Sequence, residues 1–254
     1  MHLVDTHTHI FGQDFDSDRN EMIARARRAG VDWMLLPNID TDTVDQVKAA
    51  CQLDHTLKPM WGLHPCHVGS DWKERLGLIQ PWLDKFPPVA IGEIGLDFYW
   101  SKEFISEQKA CLEMQLDWAL QYNLPVSLHT REATEETIAI VASKPGLKGV
   151  FHCFSGTEAQ ANTILEMGLL LGIGGSITYK KNELRNFIKT LPAEGLVLET
   201  DAPYLPPVPY RGKRNEPAYL VEICYELAGL MEMAPGKLAE ITTRNAETLF
   251  HLGN

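Results

Sequence analysis

The sequence predicts a parallel α/β architecture: a single (β/α)8 TIM barrel over residues 1–254, with distortion of the ring allowed and extra helices at its C-terminal end. Three observations predict it. Short apolar runs alternate with longer amphipathic segments along the whole chain, a pattern that calls for a parallel sheet. Eight such units fit within 254 residues, the usual size of a barrel closed as one domain. No phosphate-binding glycine fingerprint follows the first strand, which weakens the alternative of an open, doubly wound sheet.

Strands are expected at 2–9, 32–39, 58–64, 88–95, 125–130, 148–154, 169–175 and 196–202. Several are rich in Val, Ile and Leu, as strands covered on both faces should be. Helices are expected at 17–29, 41–54, 72–86, 103–123, 132–143, 157–167 and 181–190, with two more at 216–232 and 236–250. The clearest is 103–123, where Ile105, Leu112, Leu116, Ala119 and Leu120 recur at helical spacing. Gly30 reads as a helix stop, and Asn123–Leu124–Pro125 does the same before the fifth strand. The stretch 202–217, with Pro203, Pro206, Pro207, Pro209 and Pro217, reads as an extended loop over the barrel mouth.

Composition bounds the function. Of the residues, 44% are hydrophobic and 22% charged, which suits a globular chain with a large core. The apolar runs are strand-sized, far short of the ~20 residues that span a bilayer, and the N-terminus lacks the features of a signal peptide. A cytoplasmic protein without a membrane partner is expected. Cys51, Cys66, Cys111, Cys153 and Cys224 form no Cys-x-x-Cys pair, and an odd, dispersed set argues for reduced thiols. A net charge of −11 excludes binding of nucleic acid through the overall field. A polyanion would have to be met by a local basic patch or by bound cations.

In such a barrel the functional groups gather at the C-terminal ends of the strands. His7 and His9 end the first strand and, two residues apart, share one face as two ligands of one ion should. His64 ends the third strand, Glu93 nears the end of the fourth, His129 ends the fifth, His152 nears the end of the sixth and Asp201 ends the eighth. Each follows apolar strand residues and would otherwise be buried at a cost. A bare His-x-His arises often by chance; the series of matching strand ends is what points to a metal-dependent hydrolase. The inventory fits two divalent cations, the first on His7, His9 and Asp201, the second on His129 and His152, with Glu93 bridging. Metals about 3.5–4 Å apart lower the pKa of a shared water and stabilise displacement at phosphorus. Imidazoles suit Zn, Mn or Fe and carboxylates with water suit Mg or Mn, so the choice among Mg, Mn and Zn stays open.

Several blocks carry a family resemblance: Asp5–Thr6–His7–Thr8–His9, Gly92–Glu93–Ile94–Gly95–Leu96–Asp97, the run from Pro125 to Arg131, that from Phe151 to Gly156, that from Leu198 to Pro203, and that from Arg211 to Pro217. Over nearly the whole chain, in order, they resemble the TatD family of metal-dependent deoxyribonucleases. The resemblance implies a barrel hydrolase of the wider amidohydrolase group, a divalent metal pair and nuclease activity on DNA. Matched residue by residue, it implies ligands at His7, His9, Glu93, His129, His152 and Asp201. Two departures stand out. Many relatives carry Asp or Asn soon after the His-x-His, where this chain has Ile10 and Phe11. Many read His-Pro-His at strand three, where it has His64–Pro65–Cys66–His67.

On this reading an activated water attacks the phosphorus of a 3′-terminal DNA linkage and Asp201 accepts its proton. His64, outside the ligand set, contacts the phosphate or protonates the leaving group; the alternative is a histidine that only shapes its loop. Arg131, two past His129, is a candidate for holding phosphate bidentately, against a surface salt bridge with Glu132 or Glu135. Glu199 alternates with Asp201 and points into the barrel one layer below, where it would orient a ligand histidine; Asp97 invites the same reading. Arg211, Lys213 and Arg214 form the basic patch the net charge requires, extended by Lys180, Lys181 and Arg185, with Tyr204, Tyr179 and Tyr210 near enough to stack on unpaired bases. Cys153, beside His152, is expected to face the other way. A monomer acting on single-stranded DNA ends is the leading expectation. Hydrolysis of an ester or amide, such as a small lactone or an aminoacyl-tRNA ester, and nucleic-acid binding by a relict barrel are the alternatives.

Overall fold

The computed structural model describes residues 1–253. Its strands are β1 (Leu3–Asp5), β2 (Val31–Pro37), β3 (Leu57–Trp61), β4 (Ala90–Asp97), β5 (Val126–Arg131), β6 (Gly149–Phe151), β7 (Leu170–Ile173) and β8 (Leu196–Leu198). They form one sheet in chain order, with every neighbouring pair parallel. Around it run α1 (Arg19–Arg28), α2 (Val44–Leu53), α3 (Trp72–Ile79), α4 (Trp82–Lys85), α5 (Ile105–Tyr122), α6 (Thr134–Ala142), α7 (Glu158–Glu166), α8 (Leu220–Leu230) and α9 (Pro235–Phe250). This is the expected barrel. Its seam is bridged by the Thr6 N–H on Leu198 O at 3.0 Å and the Asp201 N–H on His7 O at 2.9 Å. The buried Asp5 carboxyl accepts the Thr200 N–H at 2.9 Å across the same seam. No helix among the described residues is long and apolar enough to cross a membrane.

Strand alternation separates a packed floor from a polar mouth. Val4, Leu35, Met60, Ala90, Val150 and Val197 form one buried cluster with Phe250 and Leu252, so the end of α9 closes the floor of the barrel. Positions two residues further along each strand face the same lumen. Val150 therefore leads to His152, and Val197 leads through Glu199 to Asp201. The residues between, such as Phe151 and Leu198, turn outward into the larger core under the helices. Burying each such side chain is worth about 1.5–3 kcal/mol, and this layer fixes the strands that carry the polar groups.

Several expected elements differ. The strands expected at 2–9, 148–154 and 196–202 pair regularly only over Leu3–Asp5, Gly149–Phe151 and Leu196–Leu198, although the Thr8 N–H still reaches Leu35 O at 3.0 Å. The helix expected at 72–86 is broken into α3 and α4 at Pro81, which has no N–H to continue the ladder. The helix expected at 181–190 is two 3-10 turns, Glu183–Asn186 and Ile188–Thr190. Asn182 caps the first, and Phe187 between them has φ −132°, outside the helical range. The helix stops hold: Gly30 has φ +88° and Asn123 has φ +52°.

Candidate metal centre

Glu93 is the hub of the mouth. Its Oε1 lies 2.8 Å from His152 Nε2, 3.0 Å from His129 Nδ1 and 3.4 Å from His64 Nε2. Its Oε2 lies 3.2 Å from His7 Nε2 and 3.6 Å from His9 Nε2. Asp201 Oδ1 stands 3.4 Å from His9 Nε2 and 4.0 Å from His7 Nε2. The structure thus brings together all six expected ligands, and His64 with them. Three sets of donor atoms each fall within 4.8 Å of one another: His7, His9 and Asp201; His7, Glu93 and His152; His64, Glu93 and His129. Asp201 takes φ +55°, a left-handed conformation that Asp tolerates, where its strand has ended.

The outward nitrogens of three imidazoles are held in place. Asp97 Oδ2 lies 3.0 Å from His129 Nε2, Glu199 Oε1 lies 3.4 Å from His152 Nδ1, and Ser127 Oγ lies 3.1 Å from His7 Nδ1. Partners of this kind set the tautomer and aim the other nitrogen inward. Ser127 was not singled out from sequence; the available signal was its place two residues before His129 on the lumen face of β5. Two glycines make the arrangement possible. A Cβ on Gly172 would lie 2.3 Å from Glu199 Oε2, and Gly95, at φ +147°, would bring one to 2.0 Å from His129 O.

Electrostatics ties these groups together. Burial alone would raise the Glu93 carboxyl, but the imidazoles of His152, His64 and His7 hold it well below the ordinary carboxylate range. Asp201 is likewise lowered against its burial by the His9 hydrogen bond and the charge of His152. Burial lowers His152, yet Glu93 and Glu199 more than offset it and carry the imidazole well above its usual value. His129 is raised against its burial by Asp97 and Glu93. These buried carboxylates require positive charge, which protons on His152 and His129 or a bound cation can supply. A cation fits the donor set: Nε2 of His7, His9, His64 and His152 and Nδ1 of His129 all lie within 3.6 Å of the Glu93 carboxylate, five imidazoles crowding one acid.

His64 is of another kind. Its Nδ1 accepts the Cys66 N–H at 3.1 Å, so the proton of the neutral ring is on Nε2, facing Glu93. Burial pushes its pKa down to about 4, with His129 and His67 adding to the effect, so it is neutral at pH 7.

The centre opens into a cavity of about 590 Å³ lined by His9, His64, Glu93, His129, Arg131, His152, Asp201 and Tyr204, among others. Arg131 stacks on Tyr99 at 3.8 Å instead of pairing with Glu132 or Glu135. Cys153 lines the cavity too, contrary to expectation: β6 has ended at Phe151, and φ +46° at Cys153 cancels the alternation. The loop cations do not line it. Arg211 stacks on Tyr179 at 4.4 Å and Lys213 on Tyr210 at 5.9 Å. Arg214 is bound at 2.7 and 2.8 Å by Asp18, so its charge is already matched inside the loop's own anchor. Arg185 is similarly paired with Glu226.

A parallel barrel whose strand ends converge imidazoles and carboxylates on one buried glutamate defines a metal-dependent barrel hydrolase. The chain belongs to the TatD related DNase family, whose model matches residues 4–251. It is 34% identical over 253 residues to YabD of Bacillus subtilis, named a metal-dependent hydrolase, covering 98% of this chain and 99% of that one. It is 36% identical over 262 residues to the 3′-5′ ssDNA/RNA exonuclease TatD of Cronobacter sakazakii, covering 98% and 97%. The crystal structure of YjjV, a TatD homologue from Escherichia coli, superposes with a TM-score of 0.92 at 32% identity over 98% of both chains.

Proposed function

We propose that this chain is a 3′–5′ exonuclease acting on unpaired DNA ends with two divalent cations of the Mg, Mn or Zn type. One observation carries the reading: the two oxygens of Glu93 face different imidazole sets, His7 and His9 on one side and His129 and His152 on the other. A bridging carboxylate between two cations requires that division. His7, His9 and Asp201 would hold one ion, His129 and His152 the other. When bound, such a pair lowers the pKa of a shared water and neutralises charge on the phosphoryl oxygens.

The side chains do the rest. Asp201, ionised and fixed through its backbone to His7, accepts the proton of the attacking water. His64, neutral with its Nε2–H turned toward the Glu93 hub, is a hydrogen-bond donor to a phosphate oxygen bound there; a neutral imidazole is too weak an acid to protonate a leaving group at pH 7. Arg131, held flat by its aromatic neighbours at the cavity wall, offers two N–H groups to the same phosphate. Asp97, Glu199 and Ser127 keep the imidazoles aimed. Tyr204, half exposed beside His9, provides a face for a base, and Arg211 and Lys213 attract the strand from the rim.

Incubation of metal-loaded protein with end-labelled single-stranded DNA, beside an ester substrate and an EDTA control, tests this. Chelator-sensitive shortening from the 3′ end is the expected result. Ester turnover without DNA cleavage would move the site to the other hydrolase reading.

A further inference from the structure

Beside the metal cavity is a second hollow of about 370 Å³, within the size range of small-ligand sites. The two share a wall made by Trp100, with Cys66, His67 and Asp97. Trp100 is 68% exposed and Tyr99 50%, although large aromatic side chains ordinarily bury most of their area. Their backbone is not loose: the N–H groups of Tyr99 and Trp100 donate to Asp97 Oδ1 at 3.0 and 3.2 Å. The same carboxylate orients His129, so the exposed indole is tied to the catalytic centre through one residue. Cations flank it. Arg131 lies 5.3 Å from the Trp100 ring and has no carboxylate partner among the described residues. Across the hollow, Arg75 gives only its Nε to Asp71, at 2.9 Å, among the described residues. The two acids of the hollow are thus engaged, Asp71 by Arg75 and Asp97 by His129.

We propose that Trp100 is a stacking platform for one unpaired nucleobase of the bound strand, the base occupying this second hollow while its neighbouring phosphate meets Arg131 at the metal cavity. The inference rests on the nuclease reading and names how that site selects its substrate. An indole face accepts any base, so the platform selects single strands without reading sequence. A base held in a duplex cannot turn its face to Trp100, which makes an unpaired end a condition of entry.

The test is equilibrium binding of Mn-loaded protein to single-stranded DNA whose 3′-terminal linkages are cleavage-resistant phosphorothioates. 2-Aminopurine is placed at each of the last three positions in turn, and an abasic residue is placed there in parallel. One position should show 2-aminopurine quenching in the wild type. Removing the base at that position should weaken wild-type binding about tenfold, the worth of one stacked base. Trp100→Ala should bind about tenfold more weakly than wild type, lose the quenching and become indifferent to the abasic residue; Trp100→Phe should restore both. The abasic arm needs no variant and stands whether or not Trp100→Ala folds. Equal wild-type affinity for intact and abasic strands at all three positions overturns the platform. If the wild type still trims end-labelled DNA, the nuclease reading survives that result. A wild type that neither binds nor trims DNA overturns both.

Discussion

Replacing Asp97 with Asn keeps the side chain's shape but removes one negative charge and reverses one hydrogen bond at the centre. Asp97 Oδ1 accepts two backbone N–H groups, from Tyr99 and Trp100, so the carbonyl oxygen of Asn must take that place. Its NH2 then occupies the Oδ2 position, 3.0 Å from His129 Nε2. A donor there forces His129 Nε2 to accept, which moves the ring proton to Nδ1, the nitrogen that faces Glu93 Oε1 at 3.0 Å. A protonated Nδ1 has no lone pair for a cation. Relative to the wild type, the productive tautomer then lacks the charge-assisted hydrogen bond to a carboxylate, worth about 1.5–3 kcal/mol. At ~1.4 kcal/mol per factor of ten, metal affinity should fall about 10- to 100-fold, the range seen for such orienting partners. Burial raises the Asp97 carboxyl, but the His129 bond and the two backbone N–H groups outweigh it and hold the pKa down to about 2. The carboxylate is therefore ionised throughout pH 5–9. Its charge is complete above the ordinary carboxyl range and is lost only as pH falls toward 2, but that charge also raises the His129 pKa, so the defect should be largest at alkaline pH and shrink as pH falls and the wild type must first lose the His129 proton. Calorimetric titration with Mn²⁺, paired with thermal melts in EDTA, measures it. Affinity within twofold of wild type would refute the tautomer argument.

Glu93→Ala and Asp201→Ala should each leave a folded barrel by circular dichroism and cut hydrolysis on the order of 10³-fold or more, since several kcal/mol of charge stabilisation are removed. Full activity in either variant would remove that residue from the mechanism. Metal affinity should rise with pH, because the raised pKa values of His152 and His129 mean that protons must leave before a cation enters. Titrations in buffers of different ionisation enthalpy should show proton release near neutral pH, and pH-independent affinity would contradict it. Burial pushes the Asp5 carboxyl up to about 8, against the opposing hydrogen bonds of Thr200, so the folded chain retains a proton that the unfolded chain loses near pH 4. Stability from this group is full below about pH 4 and is lost as pH rises through about 8. Asp5→Asn should flatten that slope in urea melts of the metal-free protein at pH 5 and 8.5, and an unchanged slope would exclude Asp5 as its source.

The barrel and the convergence of the six candidate ligands were legible because both rest on short-range periodicity. Alternation along β6 and β8 carries Val150 to His152 and Val197 to Asp201, and that period survives whatever the strand's exact length. What escaped the sequence depended on places where the period fails or on contacts between distant strands. Cys153 faces the cavity because its chain has left β6 and turned left-handed. Ser127 supports His7 across 120 residues of sequence, and a serine on a strand carries no mark of such a partner. His64 stood outside the ligand set in the sequence; the fold adds that the Cys66 N–H fixes its tautomer and that it shares Glu93 with His129. The loop cations show the opposite error: Arg211, Lys213 and Arg214 are one cluster in sequence, but of the three only Arg214 is paired by Asp18, nearly 200 residues earlier, which also holds Arg25. Tyr99 and Trp100 were passed over because only the fold reveals that they stay exposed at the mouth.

The proposed function depends on Glu93 standing between two cations, each held by its own set of imidazoles. Anomalous diffraction at the manganese edge from Mn-loaded crystals tests that directly. Two peaks about 3.5–4 Å apart, one on the His7 and His9 side of Glu93 and one on the His129 and His152 side, are predicted. A single peak, or a pair held by any other residues, would contradict it.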